Sequence, residues 1–372
     1  MKKKGIAIIG LDHWYWAYGC AYCIAISPKA ELIAICDVNE EKAKKMANVY
    51  GAKKYYKDYK KLLEDPEVDA VIITTSTDMH DEVAVAAATA GKDILVGKPI
   101  SRTLQGADRI IKEAKKADIK LMAMAAGPSR GDRIKKLIDE GVIGKPCVIH
   151  STLLAIPPLC EPGVDKRGWF ADPYRAAGGG FIDHAIYAVG KLSWYFNSKV
   201  ERVYSEMGKF IHKDSDIEDY GIAILRFENG AVATIESANT APNRSHAGIM
   251  IIGTEGEIEE KRIGAISTIS IWSKKDPYKE RQSFEIHPPN LVYDRTYAEK
   301  SVPPSPGVEI YKPTVDEFID YIVTGKEPLG KAEDARVALE VCLAAYLSVK
   351  TGEVIKLPLK NDVDVAAILK NL

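Results

Sequence analysis

Across residues 1–125 the chain alternates short, continuously apolar runs with longer amphipathic ones, and few folds satisfy that pattern. Residues 5–10, 31–37, 68–75, 93–96 and 120–125 are apolar runs of strand length. Between them, 40–50, 81–90 and 104–117 carry helical spacing. An apolar run without polar alternation suits a strand buried on both faces, and the intervening helices supply the covers. The expected fold is α/β, with a doubly wound parallel sheet over 1–125 of the dinucleotide-binding type. Ligands of such a sheet lie beyond the carboxyl ends of its strands.

The pattern changes after a helical stretch at 130–140. Strands become longer and are joined by hairpins, as at Asn229-Gly230, a pair suited to a turn with positive φ at both central residues. Runs at 245–253, 257–262, 268–273 and 282–287 continue this, and helices are expected at 314–324 and 332–351. A chain of 372 residues is long for one core. The second domain, 126–372, is therefore expected to hold an open, mostly antiparallel sheet. Its uncovered face must be hidden, so a homo-oligomer (dimer or tetramer) is expected as well.

Composition narrows the function classes. Net charge is −1 with 28% charged residues, so no basic surface points to nucleic acid. The apolar segments are too short to span a bilayer, and residues 6–9 are too short for a secretory signal. The six cysteines are scattered, and only Cys20 and Cys23 have a metal-like or redox-like spacing, without a second pair. No metal is expected, and a reduced cytoplasmic protein remains.

Three places carry candidate chemistry. The first is the turn after residues 5–10, where a dinucleotide fingerprint would read G-x-G-x-x-G. Gly10 supplies the first glycine, but Asp12 stands at the second, where a carboxylate opposes phosphate. His13 and the aromatics beginning at Trp14 either meet the cofactor or pack the turn. The second place is Asp37, spaced to bind the adenosine ribose; with Val38 and Asn39 following it, NAD is favoured over NADP. Asp37 alternatively caps the helix 40–50. The third is Gly178-Gly179-Gly180, which lets a chain or ligand approach the backbone closely. On the helix that follows, Asp183 and Tyr187 share a face at i, i+4, and Lys98 is available from another segment.

Four segments in this order resemble the Gfo/Idh/MocA (glucose–fructose oxidoreductase/inositol dehydrogenase) family, over nearly the whole chain. Residues 74–80, ending in His80, look like its T-P-x-x-x-H turn, with Ser76 in place of proline. Residues 90–99 are similar to A-G-K-x-V-x-x-E-K-P, with Gly97 in place of glutamate. The glycine-rich helix start at 177–187 and the helix beginning at Asp334-Ala335 complete the likeness.

The resemblance implies a Rossmann domain followed by an α/β domain with an open sheet, and a nicotinamide cofactor. Lys98 matches the catalytic lysine, Asp183 the catalytic aspartate, and Tyr187 the position held by histidine or tyrosine. Trp169 matches a tryptophan near the nicotinamide, and His184 adds a possible substrate contact. Cofactor contacts are implied at Gly10, Asp12, His13, Trp14, Asp37, Thr75, Ser76, His80, Gly97 and Lys98. The expected activity is NAD-dependent oxidation of a secondary alcohol of a sugar, polyol or glycoside, or reduction of the ketone. Lys98 would steady the oxygen and Tyr187 would move the proton, with Asp183 orienting the lysine or binding a neighbouring hydroxyl. The same residues also suit a redox-cycling lyase or glycosidase that retains NAD. Asp12 and Gly97 leave room for a ligand-sensing member without turnover.

Overall fold

The computed structural model describes residues 3–124, 132–156, 168–241, 245–263, 266–286 and 308–372. The described residues form two compact units. The first takes 3–124, 168–169 and 308–336, and the second takes the remainder.

The first unit follows the alternating pattern. Strands β1 (Lys4–Ile9), β2 (Ala30–Cys36), β3 (Lys54–Tyr56), β4 (Ala70–Ile73), β5 (Asp93–Val96) and β6 (Leu121–Ala123) pair in the order β3-β2-β1-β4-β5-β6. All five pairings are parallel. Every residue of β4 is buried, as a central strand covered on both faces requires. The connecting helices are α1 (Trp14–Ala25), α2 (Glu40–Tyr50), α3 (Tyr59–Leu63), α4 (His80–Thr89) and α5 (Leu104–Lys116). The order reverses between β1 and β4, so the loops after these two strands flank the crevice where such sheets bind ligands.

A single boundary at 125/126 does not describe this unit. Helix α9 (Val308–Thr324) belongs to it and packs on α1, with the Tyr311 and Trp16 rings 4.9 Å apart. The helix also begins earlier than 314 and runs through Pro313, at the loss of one backbone bond.

In the second unit the described strands are β7 (Pro146–Leu154), β8 (Val200–Gly208), β9 (Tyr220–Phe227), β10 (Val232–Ala238), β11 (His246–Gly253), β12 (Gly256–Ile263), β13 (Ile266–Ser273), β14 (Gln282–Ile286) and β15 (Ile355–Lys356). They form one sheet, ordered β14-β13-β12-β11-β7-β10-β9-β8-β15. Only β7 and β10 pair in parallel among them. The helices introduced along the rest of the chain are α6 (Arg133–Asp139), α7 (Pro173–Ala176), α8 (Gly180–Phe196), α10 (Ala332–Thr351) and α11 (Val365–Leu369).

Helix α8 lies on the face that buries Ile149, Leu225 and Ala233, and its own Phe181 sits against Gly221. On the opposite face Ile224 and Trp272 are 49% and 39% exposed.

The β9–β10 hairpin differs from its expectation in one respect. Gly230 has φ +86, but Asn229 is not left-handed. The loop has three residues, closed by bonds from Gly230 N to Phe227 O and from Phe227 N to Ala231 O, each 2.9 Å. That is a turn ending in a left-handed glycine bulge, the next commonest hairpin solution. The Asn229 side chain instead accepts from Ala231 N and donates to Phe196 O.

Among the described residues no helix is long and apolar enough to cross a membrane, and no cluster of three metal-type ligands occurs. Cys20 and Cys23 are buried within α1, and burial pushes the Cys20 thiol well up, which suits packing rather than reactivity.

Candidate active site

Two loops of the first unit are laced together at the carboxyl ends of β1 and β4. Gly10 has φ +85, and a Cβ there would stand 2.4 Å from Thr75 Cγ2, so glycine is required for both reasons. Thr74 Oγ1 donates to Gly10 O at 2.6 Å, and His13 N donates to Thr74 O at 3.0 Å. Asp12, the residue in place of a second glycine, turns Oδ2 to the Ser76 amide at 3.2 Å. Its carbonyl accepts the Trp169 indole N–H at 3.0 Å.

Trp169 therefore docks on this turn, with its ring 5.6 Å from that of His13. His13 is fully buried and meets Tyr15 edge-on at 4.6 Å. His13 thus packs at the turn against Tyr15 and Trp169.

Asp37 closes the loop from the β2 side. Its Oδ2 accepts from Leu11 N and its Oδ1 from Asn39 N, each at 2.8 Å. It is not the cap of α2: Asn39 fills that role by accepting from Lys42 N. Val38 is 83% exposed beside it. Lys42, one turn into α2, reaches back to Leu11 O at 3.1 Å, a cation that the sequence pattern did not single out.

His80 and Gly97 explain each other. The imidazole is fully buried, with Nδ1 2.8 Å from Pro99 O and Nε2 3.1 Å from Thr75 O. Burial lowers its pKa, while the two carbonyls oppose that shift. A Cβ on residue 97 would stand 2.8 Å from His80 Cε1 and 3.1 Å from Ile73 O, so the ring occupies the space that a glutamate would need. His80 is thus a strut between the Thr75 loop and the Lys98-Pro99 segment. Lys98 itself is 2% exposed.

Three buried polar atoms at this end of the sheet have no hydrogen-bond partner among the described residues: Thr75 Oγ1, Thr77 Oγ1 and Trp14 Nε1. Buried polar groups are normally paired, so this set fits a polar ligand lying across the two loops. Together with the Gly10 turn and Asp37, it fits a dinucleotide.

The second unit carries the other candidates on α8. Asp183 occupies its first turn, with Tyr187 one turn further on. His184 is about 100° around the helix from Asp183, yet its Nε2 comes within 3.4 Å of Asp183 Oδ2. The same nitrogen lies 3.0 Å from Asn239 Oδ1. Asn239, at the end of β10, was missed in sequence because an asparagine after a strand normally signals a turn. Glu218 and Asp219 were missed too. Consecutive carboxylates before a strand read as solvated, whereas both are buried here. Asp219 accepts from the amides of Phe210, Ile211 and His212 at 2.6–2.9 Å.

Comparison with known proteins gives a consistent placement. Residues 4–124 match the family model described as oxidoreductase family, NAD-binding Rossmann fold. Residues 132–259 match the GFO/IDH/MocA C-terminal domain. Myo-inositol 2-dehydrogenase of Thermotoga maritima is 30% identical over 338 residues, covering 88% of this chain and 91% of that protein. The scyllo-inositol 2-dehydrogenase (NAD(+)) of Bacillus subtilis is 27% identical over 365 residues, covering 95% and 96%. In fold, the chain is similar to a solved levoglucosan dehydrogenase in complex with NADH. The TM-score is 0.77 at 22% identity, covering 96% of this chain and 100% of that one.

Proposed function

This chain belongs to the GFO/IDH/MocA family of oxidoreductases, and on that premise we propose that it oxidises a secondary alcohol of a cyclic polyol or sugar with NAD, or reduces the ketone. The observation that carries this reading is α8, which presents Asp183, His184 and Tyr187 on its first two turns and ties His184 to Asn239. A carboxylate, an imidazole and a phenol so grouped suit a substrate with several hydroxyls. Inositol dehydrogenases among the relatives point the same way.

Bound NAD would supply the acceptor for the hydride that leaves the carbinol carbon. Gly10, Thr75, Thr77 and Trp14 would hold its phosphates and nicotinamide end, and Asp37 its adenosine ribose. Lys98 would donate to the reacting oxygen and steady its developing negative charge. Tyr187 would take the hydroxyl proton, while Asp183 and His184 bind neighbouring hydroxyls and fix the substrate's orientation. The Ser76 amide beside Asp12 and the His80 ring beside Gly97 account locally for both departures, which supports a member with turnover. Binding of NAD and polyol without any NADH formed or substrate consumed would favour the ligand-sensing reading instead.

The exposed sheet face bearing Ile224 and Trp272 supports self-association, so the protein is proposed to be a homo-oligomer. Light scattering that returned a monomer at micromolar concentration would oppose this.

The activity is tested by mixing the protein with NAD and a panel of inositols and sugars while following NADH absorbance. NADH equal to the substrate oxidised is the expected outcome. Substrate consumed without net NADH would replace this reading with a redox-cycling lyase or glycosidase.

A further inference from the structure

The start of α8 lacks a cap of its own. Its N-cap residue is Gly179, which has no side chain to accept from the first free amides, and no side-chain cap bond is made there. Those amides are satisfied instead by Glu218, 39 positions further along the chain and just before β9. Gly179 N donates to Glu218 Oε1 at 2.9 Å, Gly180 N to Glu218 O at 2.9 Å, and Phe181 N to Glu218 Oε1 at 3.1 Å. The Tyr346 hydroxyl on α10 adds a fourth bond, to Oε1 at 2.6 Å.

The glycine run is shaped around this carboxyl group. A Cβ at Gly178 would stand 2.2 Å from the Tyr346 hydroxyl oxygen, and one at Gly179 would stand 2.2 Å from Glu218 O and 2.7 Å from Oε2. A Cβ at Gly180 would lie 2.7 Å from both Asn239 N and Asp219 O. Asn239 N donates to Asp219 O at 2.8 Å, and Asn239 is also the partner of His184. The Glu218-Asp219 pair therefore grips the helix twice, at its first amides and, through Asn239, at His184.

We propose that Glu218 is a positioning residue, which fixes the start of α8 and through it the orientation of Asp183, His184 and Tyr187 toward substrate. The claim rests on the dehydrogenase reading above for what those side chains do. Glu218 is completely buried, and its Oε2 has no hydrogen-bond partner among the described residues. A carboxyl group held this way is costly to keep, and a glutamine retains the accepting oxygen that matters while an alanine does not.

The experiment compares Glu218→Ala, Glu218→Gln and Tyr346→Phe with the unmodified chain. Hydrogen exchange over residues 178–187 is measured beside kcat and the NAD dissociation constant. Glu218→Ala should speed exchange at 178–187 and lower kcat by roughly 10- to 100-fold with NAD affinity unchanged, the scale of a misplaced reacting group. Glu218→Gln should restore both, and Tyr346→Phe should fall between.

Glutamine no better than alanine, or alanine with unmodified exchange and kcat, would overturn the proposal. If alanine fails to fold, Glu218→Gln and Tyr346→Phe decide alone: unchanged exchange at 178–187 in Tyr346→Phe refutes the grip. If no polyol is turned over by the unmodified chain, the dehydrogenase reading fails by itself, and the exchange data still judge Glu218.

Discussion

The β1 turn and the start of α8 are both glycine-bearing approaches to a helix, and they use the missing Cβ atoms differently. At the β1 turn only Gly10 is present, and the space it gives is taken by Thr75, while nearby Thr75 Oγ1, Thr77 Oγ1 and Trp14 Nε1 remain unpaired among the described residues. At α8 three glycines stand in a row, yet the room they make is filled by Tyr346, Glu218, Asp219 and Asn239. A glycine-rich stretch therefore does not by itself mark where a ligand sits. The unpaired Thr75, Thr77 and Trp14 atoms fit one at the turn that is poorer in glycine, whereas Glu218 Oε2, also unpaired among the described residues, is fully buried beside Gly179.

The largest expected effect separates chemistry from both scaffolds. Lys98→Met keeps an apolar stem and removes the ammonium, so turnover should fall by roughly 10²–10⁴-fold. Combined with Tyr187→Phe, the loss should be far smaller than the product of the single losses, because both groups serve one proton. Multiplicative losses in steady-state kinetics would show that the two act independently.

A second effect belongs to Glu218, whose burial raises its pKa from 4.5 to about 7 against the donors that oppose the shift. Tyr346, the titratable group bonded to it, is likewise pushed up by burial and by Glu218. The folded state holds the Glu218 proton more tightly than the unfolded chain does. Its contribution is thus complete below pH 4.5 and is lost as pH rises through 7. For this fully buried group the scale is about 3 kcal/mol. Denaturant midpoints should decline over that range and flatten in Glu218→Gln; parallel slopes in the two proteins would show that another group titrates.

Smaller effects probe the nucleotide end. Gly97→Ala drives a methyl into the His80 ring, so a stability loss of about 1–3 kcal/mol and weaker NAD binding are expected. His80→Ala in the same chain should recover part of the NAD affinity, and no recovery would mean that the clash is elsewhere. NAD should bind at least about tenfold more tightly than NADP, roughly 1.4 kcal/mol. Asp37→Ser should narrow that gap, with Lys42 nearby to meet a 2′-phosphate. Equal affinities in the unmodified protein would remove Asp37 from the ribose.

Much of the fold was legible because periodicity is local. Residues 40–50, 93–96 and 332–351 have the bounds that the pattern predicts, since caps, apolar runs and helix spacing are all written within each segment. Gly10 and Asp37 could be picked out for a similar reason: each directly follows a strand that the pattern already defines. What stayed hidden depends on contacts between distant positions. Trp169 docks on Asp12, His80 fills the space beside Gly97, and Tyr346 reaches Gly178 across the second unit's core. Periodicity carries no record of such pairs. Glu218 was hidden for the further reason that a carboxylate before a strand reads as solvated until its burial is known.

The division of labour between the two regions is the central claim, and one paired titration tests it directly. NAD dissociation constants and turnover are measured for Tyr187→Phe and Asp37→Ala side by side. Tyr187→Phe should bind NAD as the unmodified protein does while losing at least about 100-fold in turnover, and Asp37→Ala should lose NAD affinity while keeping most of its turnover at saturating NAD. A Tyr187→Phe protein with near-full turnover would contradict the account and move the proton to His184.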